Sequence, residues 1–351
     1  MKLHETKLVG HKDSILCVAT HSTKEIIATS SEDSTARIWD TKTNKTIQCI
    51  QPFKDTAITN ITFDSDNFVY CSHNNTISVF DLRQPSIIIR NISHQYTYNK
   101  EEINQITFDS RYQYLAACDD SGQIKVIDVE KKKLQETLEK KHSNICSSVA
   151  FRHGVKNELL SGAMDCFLVR WNFIKGRPIF AETFNPLAKP KKPQPGQPLE
   201  QKQILNPPFV NSIDVSSDGK YVSVAIGNGE LTCLDISTFQ PYVKIETAHL
   251  SNISLVHYPK FEKPSNSNSI FSVGGHDKSI KLWDISPEMN QAYQNESIFK
   301  KADEEIDNSK RIKLYTQHHS KLNWITTSTF NHSLYIADTS NDLTVLSIVD
   351  G

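Results

Sequence analysis

The sequence predicts an all-β chain: a seven-bladed β-propeller whose N-terminal strand closes the last blade. Three observations point there. A unit made of a turn aspartate, a short strand and a closing Trp-Asp or Trp-Asn recurs at SSEDSTARIWD (30–40), AMDCFLVRWN (163–172) and GHDKSIKLWD (275–284). In each unit the tryptophan lies six positions after the aspartate, as in Asp33 and Trp39, Asp165 and Trp171, Asp277 and Trp283. Each is also preceded by a histidine, His11, His142 or His249. Units of about 40–45 residues with this front and back are the mark of four-stranded sheets stacked radially around an axis.

The elements follow in order. Residues 3–9 (LHETKLV) precede the first Gly-His pair and lack a partner there. Completing the last blade of a closed ring removes two open sheet edges at once. Blade one, about 11–50, carries ILCVAT, IIATS, ARIWD and IQCI, β-branched runs suited to half-buried strands. Blade two, about 55–90, reads ITNITF, FVYCS, TISVFD and SIIIR, with Phe80 in the tryptophan's place and Asn74 in the aspartate's. Blade three, about 101–138, has INQITF, YLAAC, IKVIDV and KLQETL, and its turn at Asp119-Asp120-Ser121-Gly122 is longer by one residue. Blade four, 142–184, regains the full pattern, and blade five, 209–245, holds VNSIDVS, YVSVAI, LTCLDI and YVKIE. Blade six starts at His249. Blade seven, 318–348, supplies three strands, so residues 3–9 make the fourth and the count closes.

Two insertions interrupt one domain spanning 1–351. Residues 186–208 contain seven of the fourteen prolines together with Lys189, Lys191 and Lys192. Proline cannot donate to a sheet ladder, so this reads as an extended inter-blade loop. Residues 286–309 are polar and mixed in charge, and read as a loop that delays the outer strand of blade six to about 310–316.

Composition excludes several functions. A net charge of -1 provides no global field for nucleic acid or membrane. The lysine runs 131–133 and 140–141 are offset by Glu130, Glu136 and Glu139 and have no interleaved aromatics, which argues against nucleic acid. Seven cysteines never fall in CxxC spacing, and they read as buried free thiols of a reducing compartment. Cys17 and His318-His319 lack partners at metal spacing, so no metal is expected. Gly227-Asn228-Gly229 reads as a hairpin turn, not a phosphate loop, so no cofactor is expected either. The first ten residues lack the apolar stretch of a signal peptide, and there is no apolar run of about 20 residues for a membrane span. A cytoplasmic or nuclear location follows, and the Asn-x-Ser/Thr triplets at Asn60, Asn91 and Asn252 read as incidental turn residues.

The recurring polar residues invite a catalytic reading. His11, Thr29, Asp33 and Trp39 should converge in blade one, and His142, Ser161, Asp165 and Trp171 in blade four. Histidine, aspartate and a hydroxyl together suggest hydrolysis. Recurrence in separate blades argues instead for a structural role, with the indole donating to the hydroxyl and the group tying one loop to the next turn. In blade six His249, Asp277 and Trp283 recur, with Val273 expected at the hydroxyl position and the network therefore incomplete. Blades two, three, five and seven should rely on apolar packing. No catalytic residue is assigned.

These Gly-His and Trp-Asp units identify the chain as resembling the WD-repeat β-propeller family. That resemblance implies a rigid, non-enzymatic scaffold that binds proteins through its loops. Rim candidates on one face are Lys12, Asp13, Glu101, Glu102, Asn144 and Ser251, with residues 186–208 on the same face. On the other face, Phe80-Asp81-Leu82-Arg83 resembles the Trp-Asp-x-Arg motif of propellers that act as substrate receptors for the cullin-4 ubiquitin ligase. In those proteins the arginine docks on the adaptor, damaged-DNA-binding protein 1. Here Phe replaces Trp and one blade carries the motif, the others reading WDTK, IDVE, WNFI, LDIS and WDIS. The resemblance thus implies adaptor docking through Asp81 and Arg83. The alternative is a general assembly scaffold of chromatin, RNA or ciliary complexes with no link to ubiquitin.

Overall fold

Seven sheets, antiparallel but for one added strand, stand around an axis, and the inner strand of each packs against the next until the seventh meets the first. The computed structural model describes residues 2–185, 206–263, 267–299 and 307–349. The N-terminal strand Lys2–Val9 pairs along its whole length with Asp342–Val349, from Lys2 opposite Val349 to Val9 opposite Asp342. The expected closure of blade seven is therefore what the chain forms.

The core lies in the seams between blades, not within them. Seven apolar clusters are present among the described residues, and each draws on two neighbouring blades. Cys17, Ile38 and Ile50 of blade one meet Ile61, Val69 and Phe80 of blade two. Leu8, Tyr335 and Val345 of blade seven meet Ile15, Val18 and Trp39 of blade one. Burial on both faces makes the second strands, such as Glu158–Ala163 and Ser269–Gly274, nearly continuous in buried residues.

Six of the seven inner strands carry a β-bulge near their start, skipping Leu16, Asn104, Ser147, Asn211, Ser254 or Asn323. An extra residue raises the local twist and aims its side chain sideways. Four of these side chains cross to the next blade. Asn104 Nδ2 donates to the Cys146 carbonyl at 3.1 Å, Asn211 Nδ2 to that of Ile253 at 2.7 Å, and Asn323 Nδ2 to that of Ile15 at 2.8 Å. Ser147 Oγ donates in the same way to Val210.

Three expectations need correction. Ile88–Ile89 does not serve blade two; it pairs in parallel with Lys45–Ile50 as a fifth strand of blade one, and His94–Tyr96 is the outer strand of blade two. The cause is Gln48, whose amide donates to the Leu82 and Gln84 carbonyls and holds the intervening loop against blade one. Second, residues 287–299 are helical, not loop. Ser286 accepts from the Asn290 N–H through its carbonyl and from the Met289 N–H through its hydroxyl, with Pro287 at the first helical position. Third, Asn60 is a buried strand residue whose amide donates to Cys17 Sγ at 3.3 Å. Residues 186–205 lie outside the described residues.

The seam bonds make a stability prediction. Asn323→Ala leaves the Ile15 carbonyl without its donor at the closing seam. It should lower unfolding free energy by about 1–2 kcal/mol in urea titration without changing the far-UV spectrum.

Candidate partner-binding surfaces

Three blades hold the same relay of side chains. In blade one the Trp39 indole N–H donates to Thr29 Oγ1 at 2.8 Å, and that hydroxyl meets His11 Nε2 at 2.8 Å. His11 Nδ1 faces Asp33 Oδ2 at 3.0 Å, and the same carboxylate oxygen accepts the Lys12 N–H. Thr35 adds a bond to Asp33 that the motif had not suggested. Blade four repeats it through Trp171, Ser161, His142 and Asp165. The relay fixes the loop before the inner strand to the turn between the second and third strands, so both lie on one face.

Blade six completes the relay, contrary to the sequence reading. Ser272, not Val273, accepts from Trp283 at 2.8 Å and meets His249 Nε2 at 2.7 Å. Strand pairing explains the slip. The hydroxyl residue lies opposite the residue two before the tryptophan: Thr29 opposite Arg37, Ser161 opposite Val169, Ser272 opposite Lys281. The Gly274-Gly275-His276 turn is one residue longer, which moves the hydroxyl back by one in the sequence. Two other blades keep part of the arrangement. His318 contacts Asp338 in blade seven, and Asn99 donates to Asp119 at 2.9 Å in blade three. His318 is thus a paired structural histidine.

The histidines and hydroxyls are buried, the aspartates half-buried, and all are bonded to one another. Burial pulls the His11 pKa down against the pull of Asp33. Burial pulls Asp33 up, but bonds from His11 and Thr35 outweigh it and hold the carboxyl well below the usual range. The pair is therefore a neutral imidazole on a carboxylate, with the proton on the nitrogen facing Asp33. In blade six burial lowers His249 to about 4.

The opposite face carries the loop after the third strand of blade two. Leu82 N–H donates there to the carbonyl of Asn67, which lies between the first and second strands. Arg83 turns back on Asp81 through two bonds, Nε to Oδ1 at 2.9 Å and Nη2 to Oδ2 at 2.7 Å. Its guanidinium also lies 5.2 Å from the Phe68 ring centroid, yet 61% of the side chain is exposed. The bond from Arg83 is the main influence lowering the Asp81 pKa. Phe80 is fully buried in the seam with blade one, the seat that the tryptophans occupy elsewhere.

The rim candidates are placed on the relay face. Lys12, Asp13, Glu101, Glu102 and Asn144 are exposed and Ser251 is half-buried. No hydrogen bond or ion pair joins any two of these six. Six of the seven free cysteines are buried, and Cys49 is partly exposed. Among the described residues there is no cluster of metal-binding side chains and no helix long and apolar enough to cross a membrane.

A model of the WD domain, G-beta repeat, matches residues 3–40 and 243–284. The WD repeat-containing protein 53 homolog of Dictyostelium discoideum is 46% identical over 351 residues, covering 98% of this chain and 94% of that protein. The human WD repeat-containing protein 37 is 28% identical over 175 residues, 47% of this chain and 34% of that protein. Its Xenopus laevis counterpart is 28% identical over 127 residues, 35% of this chain and 24% of the relative.

Two measurements test the relay. Thr29→Val keeps the shape but strands the Trp39 N–H and His11 Nε2. It should cost about 2–4 kcal/mol of stability in urea titration. With His249 near 4 in the fold and 6.5 when unfolded, the unfolded chain takes up the proton first as pH falls through that window. Stability should therefore drop, by about 2 kcal/mol from this residue between pH 7 and pH 5, and flatten below about 4. His249→Gln should remove that part of the slope.

Proposed function

The chain belongs to the WD-repeat β-propeller family, and from this premise we propose that it is a non-enzymatic scaffold serving as a substrate receptor of a cullin-4 RING ubiquitin ligase. The reading gives Arg83 the contact with the adaptor, damaged-DNA-binding protein 1, and gives a substrate to the opposite rim. A cytoplasmic or nuclear location belongs to the same reading.

One observation carries it. Arg83 presents a planar, exposed guanidinium on a loop that Gln48 and the backbone of Asn67 hold in place. A forked cation on a fixed loop suits charge-assisted recognition of a partner's carboxylates or carbonyls. Its present partner, Asp81, is itself at the surface, where an ion pair contributes little and is readily exchanged. Phe80 supports the motif's geometry, since it fills the tryptophan's seat and leaves the following loop undisturbed.

A second reading rests on the same atoms. Two of the guanidinium donors are already spent on Asp81, and a self-satisfied arginine suits a plain assembly scaffold for chromatin, RNA or ciliary complexes. Adaptor recovery separates the two. Tagged wild-type chain purified from cells should retain the adaptor, and Arg83→Ala should lower that recovery by about tenfold or more. Arg83→Lys, which keeps the charge but loses the fork, should fall between them. Equal recovery by wild type and Arg83→Ala, or none by either, favours the assembly scaffold.

A further inference from the structure

The inner strands surround a cavity of about 320 Å³ that opens between the loops joining first and second strands, on the face that carries Arg83. Its wall has more unspent donors than free charged acceptors. Lys260 stands exposed at the mouth, and its ammonium donates to Thr20 Oγ1 at 3.0 Å. The other two ammonium hydrogens meet no acceptor among the described residues. The His153 ring and the hydroxyls of Thr62 and Thr107 also line the cavity without a hydrogen bond to any described residue.

The two carboxylates of the wall are already spent. Asp214 accepts the N–H groups of Val215 at 2.9 Å and Tyr258 at 2.8 Å, and pairs with His257 Nδ1 at 3.2 Å. Asp109 accepts from the N–H groups of Arg111 and Tyr114 within its own turn. His257 is spent as well, because its Nε2 meets Thr327 Oγ1 and accepts the Thr327 N–H. What remains of the charged and titratable groups is one cation, Lys260, and one imidazole, His153, both in the cavity lining. Loss of bulk solvent lowers the pKa of both Lys260 and His153, with Asp214 opposing it. An anion placed between them would reverse that effect.

We propose that this channel mouth is a socket for a single carboxylate of a partner polypeptide, held by Lys260 with His153 as second donor. The charge sets the class. One cation balances a monoanion, whereas a phosphate dianion would face Asp214 and Asp109 with only Lys260 to offset it. The volume sets the size. At about 30 Å³ per water, the cavity holds roughly ten waters, room for an acidic side chain or a chain end but not for a folded element. The socket does not depend on adaptor docking at Arg83.

The test uses the full chain and four probes in NMR titration. They are an N-acetylated, C-amidated Gly-Gly-Asp-Gly-Gly peptide, the same peptide with Asn for Asp, an N-acetylated pentaglycine with a free carboxyl terminus, and sodium acetate. The Asp peptide or the free-terminus peptide should saturate, and whichever binds tighter names the source of the carboxylate. Binding should raise the pKa of the His153 ring. Lys260→Met should weaken it by about tenfold or more, and Lys260→Arg should retain most of it. Thermal melts of both variants establish that the ring is intact; if Lys260→Met melts early, His153→Gln should weaken binding in its place. The socket is overturned if neither carboxylate peptide saturates, if the Asn peptide binds equally, or if a well-folded Lys260→Met matches wild type. Acetate binding as tightly as either peptide overturns a polypeptide source.

Discussion

Every sheet in this ring is apolar on both faces, so no blade is stable without a neighbour on each side. That constraint explains where the chain spends its hydrophobic residues. The seven clusters sit at the seven seams, and the seam between blades seven and one is built like the others although its residues lie at opposite ends of the chain. Pairing Lys2–Val9 with the last strand is what lets that seam form, because it completes blade seven from sequence that precedes blade one. The polar bonds obey the same geometry. Bulged residues of the inner strands reach across to the next blade's first carbonyl, and one of them, Asn323, does so at the closing seam.

The buried polar groups follow from the seams. A tryptophan at the end of the third strand fills the gap to the preceding blade but brings an N–H that must find an acceptor. Where a tryptophan ends the third strand, a hydroxyl serves it: Thr29, Ser161 and Ser272. Where Phe80, Ile127, Leu234 or Leu346 takes its place, the paired position is Cys71, Ala117, Val224 or Ile336. Donor and acceptor come and go together, which is what desolvation cost demands of a buried pair. The His–Asp half of the relay behaves separately. Blade seven keeps it with Leu346, not a tryptophan, at the third-strand position, through His318 and Asp338, because tying a loop to a turn is useful whether or not an indole occupies that position.

This separation also explains what the sequence could and could not disclose. An aspartate with a tryptophan six positions on recurs three times, each behind a histidine, so the ring, its closure and two complete relays were legible at once. The hydroxyl of blade six was misplaced because counting from the tryptophan ignores turn length, and strand pairing does not. Ile88–Ile89 has the composition of any strand, and nothing local says which edge it will join; Gln48, forty residues earlier, decides it. The helix at 287–299 did leave a signal in Ser286-Pro287-Glu288, a cap followed by proline and an acid, but its polarity concealed it. The bulge side chains were illegible, since Asn and Ser at strand starts look like ordinary polar positions. The rim candidates lie among the loops on the relay face, as loop topology alone implies. The channel lining was not foreseen, because its residues come from every blade, far apart in sequence.

A ring so fully committed to its seams has its outer surfaces left for recognition, and the two faces differ in kind. The relay face is ordered by bonds that use up its histidines and aspartates, and what protrudes there is a rim of mixed charge from Lys12 to Ser251. The other face carries Arg83 on the periphery, bonded to Asp81, and Lys260 at the axis, with two donors unfilled among the described residues. Both are carried by loops whose backbones are pinned, Arg83 by Gln48 and Lys260 by the Thr327 hydroxyl that accepts its N–H at 2.7 Å. Fixing a cation before a partner arrives reduces the ordering cost of binding, which is where a rigid scaffold gains over a flexible one.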